Sequence, residues 1–132
     1  MDVQSIGVVG AGQMGNGIAH VMALAGFDVL VTDTSQDALA RTHDLIGKNL
    51  ARQVSRDKIN APDAEAALAR IKTTATLTEL GQTDLIIEAA TERETIKTAI
   101  FEDLIPHLKP ETILTSNTSS ISITRLASRT DR

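Results

Sequence analysis

At 132 residues the chain has the length of one domain and no room for two. Its 42% hydrophobic and 23% charged residues are globular proportions, and a net charge of −4 speaks against a dedicated nucleic-acid or anionic-membrane binder. The lack of cysteine rules out disulfides, thiolate metal sites and a thiol nucleophile, and two phenylalanines as the only aromatics rule out a stacking platform for single strands.

Residues 4–9 carry the apolar, β-branched Ile6, Val8 and Val9 and end at Gly10, the pattern of a short buried strand. A glycine turn, Gly10-Ala11-Gly12-Gln13-Met14-Gly15, follows, then Ile18, Ala19, Met22 and Ala23 at helical spacing, with Gly26 as the stop. Residues 28–33 read as a second strand, completing the opening βαβ unit of a parallel sheet. Ser35 suits the cap of a helix whose stripe would be Leu39, Leu45, Ile46 and Leu50. The pattern breaks over 55–60, and Pro62 suits the first turn of another helix. An ordinary crossover needs one helix of about a dozen residues, so the helical pair over about 35–70 is expected as an insertion protruding from the sheet. Strands are expected at 71–75, 84–88 and 113–116, a helix at about 95–108 ended by Pro106 and Pro110, and a last helix capped by Ser122. The fold class is therefore α/β, a Rossmann-type doubly wound parallel sheet with a helical-pair insertion after the second strand.

No apolar run reaches the ~18 residues of a membrane span, and residues 1–5 lack a basic leader, so a cytoplasmic protein is expected. In the turn, Gly10 permits the bend, Gly12 lets backbone approach a pyrophosphate, and Gly15 lets helix pack closely on strand. The helix start then offers free N–H groups and partial positive charge to that pyrophosphate. Asp33 ends the second strand eighteen residues past Gly15, where an acid accepts the adenosine ribose hydroxyls. A carboxylate there repels a 2′-phosphate and no arginine immediately follows it, so the expected cofactor is NAD rather than NADP. Between Arg41 and Lys58 five basic residues face two acidic ones, and Lys48, Arg52 and Arg56 recur every four residues on one helix face. That spacing fits phosphate binding and a plain solvated face equally well. Glu88, Glu92 and Glu94 cluster without a His or Asp at ligand spacing, so no metal is expected.

The segments G-A-G-Q-M-G-N-G-I-A at 10–19, I-E-A-A-T-E at 87–92 and S-N-T-S-S-I-S-I-T at 116–124 together resemble the L-3-hydroxyacyl-CoA dehydrogenases. The resemblance runs through the whole chain and covers that family's N-terminal dinucleotide-binding portion. It implies cofactor contacts from Gly10, Ala11, Gly12, Gln13, Met14, Gly15, Asp33, Glu92, Lys97 and Ser119. It further implies that Ser119 hydrogen-bonds the 3-oxygen of the substrate with Asn117 beside it, and that Asn49 and Arg56 touch coenzyme A. From the residues alone, the hydroxyls over 115–122 fit turn and cap roles as well. The implied reaction moves hydride between C3 of a short 3-hydroxyacyl-CoA and NAD, in fatty-acid or butyrate-type metabolism. Family members continue into a strand bearing the catalytic His and an all-helical domain, and are expected to be homodimers. None of His20, His43 and His107 matches that His, so the chain alone is expected to bind cofactor and turn over little. Two alternatives share the glycine turn: a β-hydroxyacid dehydrogenase of the hydroxyisobutyrate kind, and a non-enzymatic NAD-sensing module.

Overall fold

In a computed structural model, residues 3–90 and 93–116 are described. The strands β1 (Ser5–Val9), β2 (Asp28–Thr32), β3 (Ile71–Thr74), β4 (Leu85–Glu88) and β5 (Ile113–Ser116) form one sheet in the order β3-β2-β1-β4-β5. Every pairing is parallel. The chain winds outward from β1 to β3, returns across the sheet, and lays β4 against the other side of β1. The loops leaving β1 and β4 therefore diverge, which opens a crevice at the carboxyl ends of these two strands. Along that edge Thr32, Val9, Glu88 and Ser116 stand side by side in register.

Because a strand's side chains alternate, each strand feeds two cores. On one face Ile6, Val8, Val29, Val31 and Ile71 pack against the helices α1 (Gln13–Leu24), α2 (Gln36–Ser55) and α3 (Ala61–Ala69). On the other, Val9 and Ile86 meet Leu104 of α4 (Glu94–Leu104) and Leu80 from a 3-10 turn at Leu77–Gln82. Helices cover both faces, so the sheet is doubly wound as the sequence implies.

The expected starts and stops have physical partners. Ser35 caps α2 by accepting from the Ala38 N–H at 3.1 Å, and Asn60 caps α3 by accepting from Asp63 N–H at 2.8 Å. Gly26, at φ 103°, ends the turn after α1, and the Arg70 guanidinium donates to the Ala23 carbonyl at that helix's negative end, at 2.8 Å. At the opposite edge of the sheet Asp84 clamps the strand starts. Its carboxylate accepts from the amides of Gln4 at 2.9 Å and Ser5 at 3.2 Å, and pairs with the Lys109 ammonium at 2.5 Å. The Lys109 bond, followed by the two amides, holds the Asp84 carboxyl well below the usual carboxylate range.

Three expectations need correction. The stripe of α2 is Leu39, Thr42, Ile46 and Leu50; Leu45 lies 44% exposed, because it sits about 100° around the helix from Ile46. The helical pair does not stand clear of the sheet, since Leu39, Ile46, Leu50, Ala64 and Ala67 belong to the main core. Helix α4 closes at Leu104 and tightens into a 3-10 turn over Ile105–His107, since Pro106 has no N–H for the next helical bond. The expected Ser122 cap lies outside the described residues. Among the described residues, no helix is long and apolar enough to cross a membrane, and no three His, Asp or Glu side chains gather as a metal cluster.

Candidate functional site

The glycine turn occupies the crevice between β1 and β4. Gly10 leaves β1 at φ 116°, donates its N–H to the Thr32 carbonyl at 2.8 Å, and runs so close to the next loop that a Cβ would meet the Ala89 carbonyl. A Cβ on Gly15 would lie 1.7 Å from the Gly10 carbonyl oxygen, so only glycine lets α1 start this near the strand. Gly12 differs: a Cβ there would meet nothing within 4 Å. The space in front of it is open.

Helix α1 has Gly12 at its N-cap, with no side-chain cap bond and no acid in its first turn. Its first ladder bond runs from Asn16 N–H to the Gly12 carbonyl at 2.9 Å, and Gly12, Gln13 and Met14 are exposed. Such a start carries roughly half a positive charge and suits an anion. Asn16, which sequence reasoning passed over, braces the turn from beneath. Its buried amide donates to the Ala11 carbonyl at 3.1 Å, and its carbonyl oxygen accepts from the Thr42 hydroxyl of α2 at 3.1 Å.

Asp33 faces the turn from the end of β2. Its Oδ2 accepts from the Ala11 N–H at 2.7 Å and its Oδ1 from the Ser35 N–H at 2.8 Å. A groove of about 390 Å3 extends from it, walled by Gly10, Thr34, Ala75, Leu77, Ile96 and Ile100, with Arg93 at its side. That volume and an apolar wall ending in a carboxylate suit a heteroaromatic base joined to a ribose. Arg93 is a second residue that sequence reasoning missed. No arginine follows Asp33 in the chain, yet the fold brings one to the same groove from the N-cap of α4. The only signal for it was its place just after the I-E-A-A-T-E segment at the switch point.

Lys97 lies beyond the switch point from Asp33. Its side chain is wholly buried, and its ammonium contacts Glu88 and, at 3.3 Å, the Ser116 hydroxyl. Asn49 sits exposed on α2 together with Lys48 and Arg52, and Arg56 sits exposed at that helix's C-cap; Asn49 accepts from the Arg52 guanidinium at 3.2 Å, and Lys48 pairs with Asp44 at 3.1 Å. The structure thus joins the turn to Asp33, sets Lys97 on the other side of the crevice, and puts Asn49 and Arg56 on the outer face of the insertion. Glu92, Asn117 and Ser119 lie outside the described residues.

The open Gly12, the uncapped helix start and the carboxylate bordering an apolar groove fit the diphosphate, ribose and adenine of NAD in turn. Comparison with known proteins also points to NAD as the cofactor. The family model for the 3-hydroxyacyl-CoA dehydrogenase NAD binding domain matches residues 5–132. A 3-hydroxybutyryl-CoA dehydrogenase of Bradyrhizobium diazoefficiens is 53% identical over 130 residues, which are 98% of this chain and 44% of that protein. A 3-hydroxyadipyl-CoA dehydrogenase of Escherichia coli is 44% identical over 96% of this chain and 27% of its own length. The crystal structure of (S)-3-hydroxybutyryl-CoA dehydrogenase from Ralstonia eutropha superposes with a TM-score of 0.94 at 40% identity, covering 99% of this chain and 46% of that one. The chain therefore spans less than half the length of these relatives.

Proposed function

Since the chain belongs to the 3-hydroxyacyl-CoA dehydrogenase family, whose NAD-binding domain it carries, we propose that it serves hydride exchange between NAD and C3 of a short 3-hydroxyacyl-CoA. The observation that carries this reading is the joint geometry of Gly12, open at an uncapped helix start, and Asp33, fixed on Ala11 beside the groove. The rival affiliation with hydroxyisobutyrate-type enzymes falls before a family match over residues 5–132.

In this reading residues 1–132 form one dinucleotide-binding domain with the α2–α3 pair inserted after β2. The amides at the start of α1 hold the diphosphate, and Asp33 accepts the adenosine ribose hydroxyls. Glu92 and Lys97 attend the nicotinamide half across the switch point. Ser119 donates to the 3-oxygen of the acyl group, with Asn117 beside it, while Asn49 and Arg56 meet coenzyme A. Bound NAD supplies the hydride acceptor; these residues bind, orient and exclude water. The hydroxyl proton goes to the His that the family bears beyond the matched region. An acyl-CoA thioester is the substrate, and the whole protein is a cytoplasmic homodimer.

Two measurements test the proposal. Calorimetric titration of the chain should show NAD binding, since a protein without Trp or Tyr has no useful intrinsic fluorescence to follow. Joined to the rest of the Bradyrhizobium relative, the chain should oxidise 3-hydroxybutyryl-CoA with NAD, whereas alone it should not. Failure to bind NAD, or turnover by the chain alone at the rate of the joined protein, would overturn the assignment.

A further inference from the structure

Glu88 has no part in the hydride exchange described above, yet it holds a central place. It ends β4 beside Val9 of β1 and Ser116 of β5, at the switch point, with a side chain wholly buried. Its carboxylate gathers donors from three elements on the β4–β5 side of the crevice. Oε2 accepts from the Ala90 N–H at 2.7 Å, in the loop that Gly10 almost touches. Oε1 accepts from the Ser116 hydroxyl at 2.8 Å and pairs with Lys97 of α4. Lys97 and Ser116 also contact each other at 3.3 Å, which closes a triangle.

Stability alone is a weak reason for such an arrangement. Replacing a buried ion pair by apolar residues of similar volume is often neutral or stabilising, while removing a single partner strands a charge. The triangle does something a leucine cannot. It fixes α4, the loop after β4 and the end of β5 relative to one another at the carboxyl edge where the nicotinamide half is expected to lie. Ser116 is also the residue directly before the Asn117–Ser120 stretch of the serine motif.

We propose that Glu88 is a positioning residue of the cofactor site, acting through Lys97, Ala90 and Ser116 to set the nicotinamide-side wall before NAD arrives. The proposal rests on the NAD-binding reading above. Preorganisation of this kind raises affinity because the protein has less to order on binding.

The test compares NAD titration and thermal melting for the chain and three variants. Ser116→Ala and Glu88→Gln keep Lys97 in place; Glu88→Gln/Lys97→Met removes both charges and guards against loss of folding in the single charge change. Ser116→Ala should melt close to the parent and bind NAD roughly threefold to tenfold more weakly, the scale of one lost hydrogen bond. Glu88→Gln should bind NAD at least as weakly as Ser116→Ala, and the double variant, with no stranded charge, should melt above Glu88→Gln and bind at least about tenfold more weakly than the parent. Parent-like NAD affinity in Ser116→Ala and in the double variant would make the triangle mere packing and overturn the proposal. A loss confined to the double variant would show only the direct cofactor contact already assigned to Lys97, with nothing added by Glu88 and Ser116, and would overturn it as well. If the parent chain itself fails to bind NAD, the underlying reading falls and takes this proposal with it.

Discussion

The amide of Ala11 and the carboxylate of Asp33, twenty-two residues apart in sequence, are joined by a hydrogen bond of 2.7 Å. With Ser35 N–H on the other oxygen at 2.8 Å, the carboxylate is oriented from two sides. Each carboxylate oxygen accepts more than one hydrogen bond, so capacity for two ribose hydroxyls remains. The same bond fixes the peptide between the first two glycines of the turn. In the proposed reading one side chain thus serves both the ribose and the shape of the diphosphate loop.

Asp33→Ala should weaken NAD binding by about 1–3 kcal/mol, the scale of losing charge-assisted hydrogen bonds. Asp33→Ser should also narrow the preference over NADP, because the repelling charge is gone and Arg93 borders the same groove. Titration of both variants with each dinucleotide is the measurement. An unchanged NAD to NADP ratio in both would remove Asp33 from the ribose.

The glycines separate binding from folding. Gly12→Ala adds a methyl into open space at an ordinary φ of −80°, so stability should change by no more than about 1 kcal/mol. In the proposed reading the methyl stands in the path of the diphosphate, and NAD affinity should fall at least about tenfold, a loss near 1.4 kcal/mol. Gly15→Ala instead drives a Cβ into the Gly10 carbonyl, and should cost about 1–3 kcal/mol or more of stability. Melting curves alongside titration distinguish them; equal melting losses in the two variants would contradict the geometry.

What could be read in advance was whatever is local. The strand, glycine turn, helix and acid over residues 5–33 follow from short-range pattern, and the Ser35 cap from a three-residue spacing. What escaped depends on distant neighbours. In the 3-10 turn at Leu77–Gln82, Gly81 packs so tightly on the His107 backbone that a Cβ would meet its carbonyl oxygen at 2.2 Å. Arg93 enters the Asp33 groove only because the chain reverses direction between β3 and β4. Thr42 and Asn16 look like surface polar residues until α2 packs on α1 and buries both. A hydrophobic stripe cannot announce a threonine whose burial is paid by another side chain's amide.

That buried pair yields its own prediction. Thr42→Val keeps the volume and leaves the Asn16 carbonyl oxygen without its donor, which should cost about 1–3 kcal/mol of stability. Asn16 also holds the Ala11 carbonyl, so NAD affinity should drop alongside stability. Asn16→Leu combined with Thr42→Val should restore part of the stability and none of the affinity. Denaturant unfolding and titration of the two variants provide the check; full recovery of NAD binding in the double variant would show that the turn needs no brace.

The last prediction concerns acid. Asp84 ties together residues 4–5 before and at the start of β1, its own position before β4, and Lys109 on the approach to β5. Its carboxyl lies well below the ordinary range in the folded chain, chiefly through the hydrogen bond from Lys109 and then through the Gln4 and Ser5 amides. An aspartate in the unfolded chain titrates near 4. The folded state thus binds the proton less readily, and the clamp stabilises fully above about pH 4. As pH falls below that value, the unfolded chain takes up the proton first, and the contribution is lost progressively toward the folded pKa. Asp84→Asn should be less stable than the parent at pH 7, and the gap should close on acidification through pH 4 toward pH 2. Melting temperatures of both proteins across pH 7 to 2 measure it. A gap that stays constant over that range would mean that the charge of Asp84 contributes nothing and only its hydrogen-bond geometry matters.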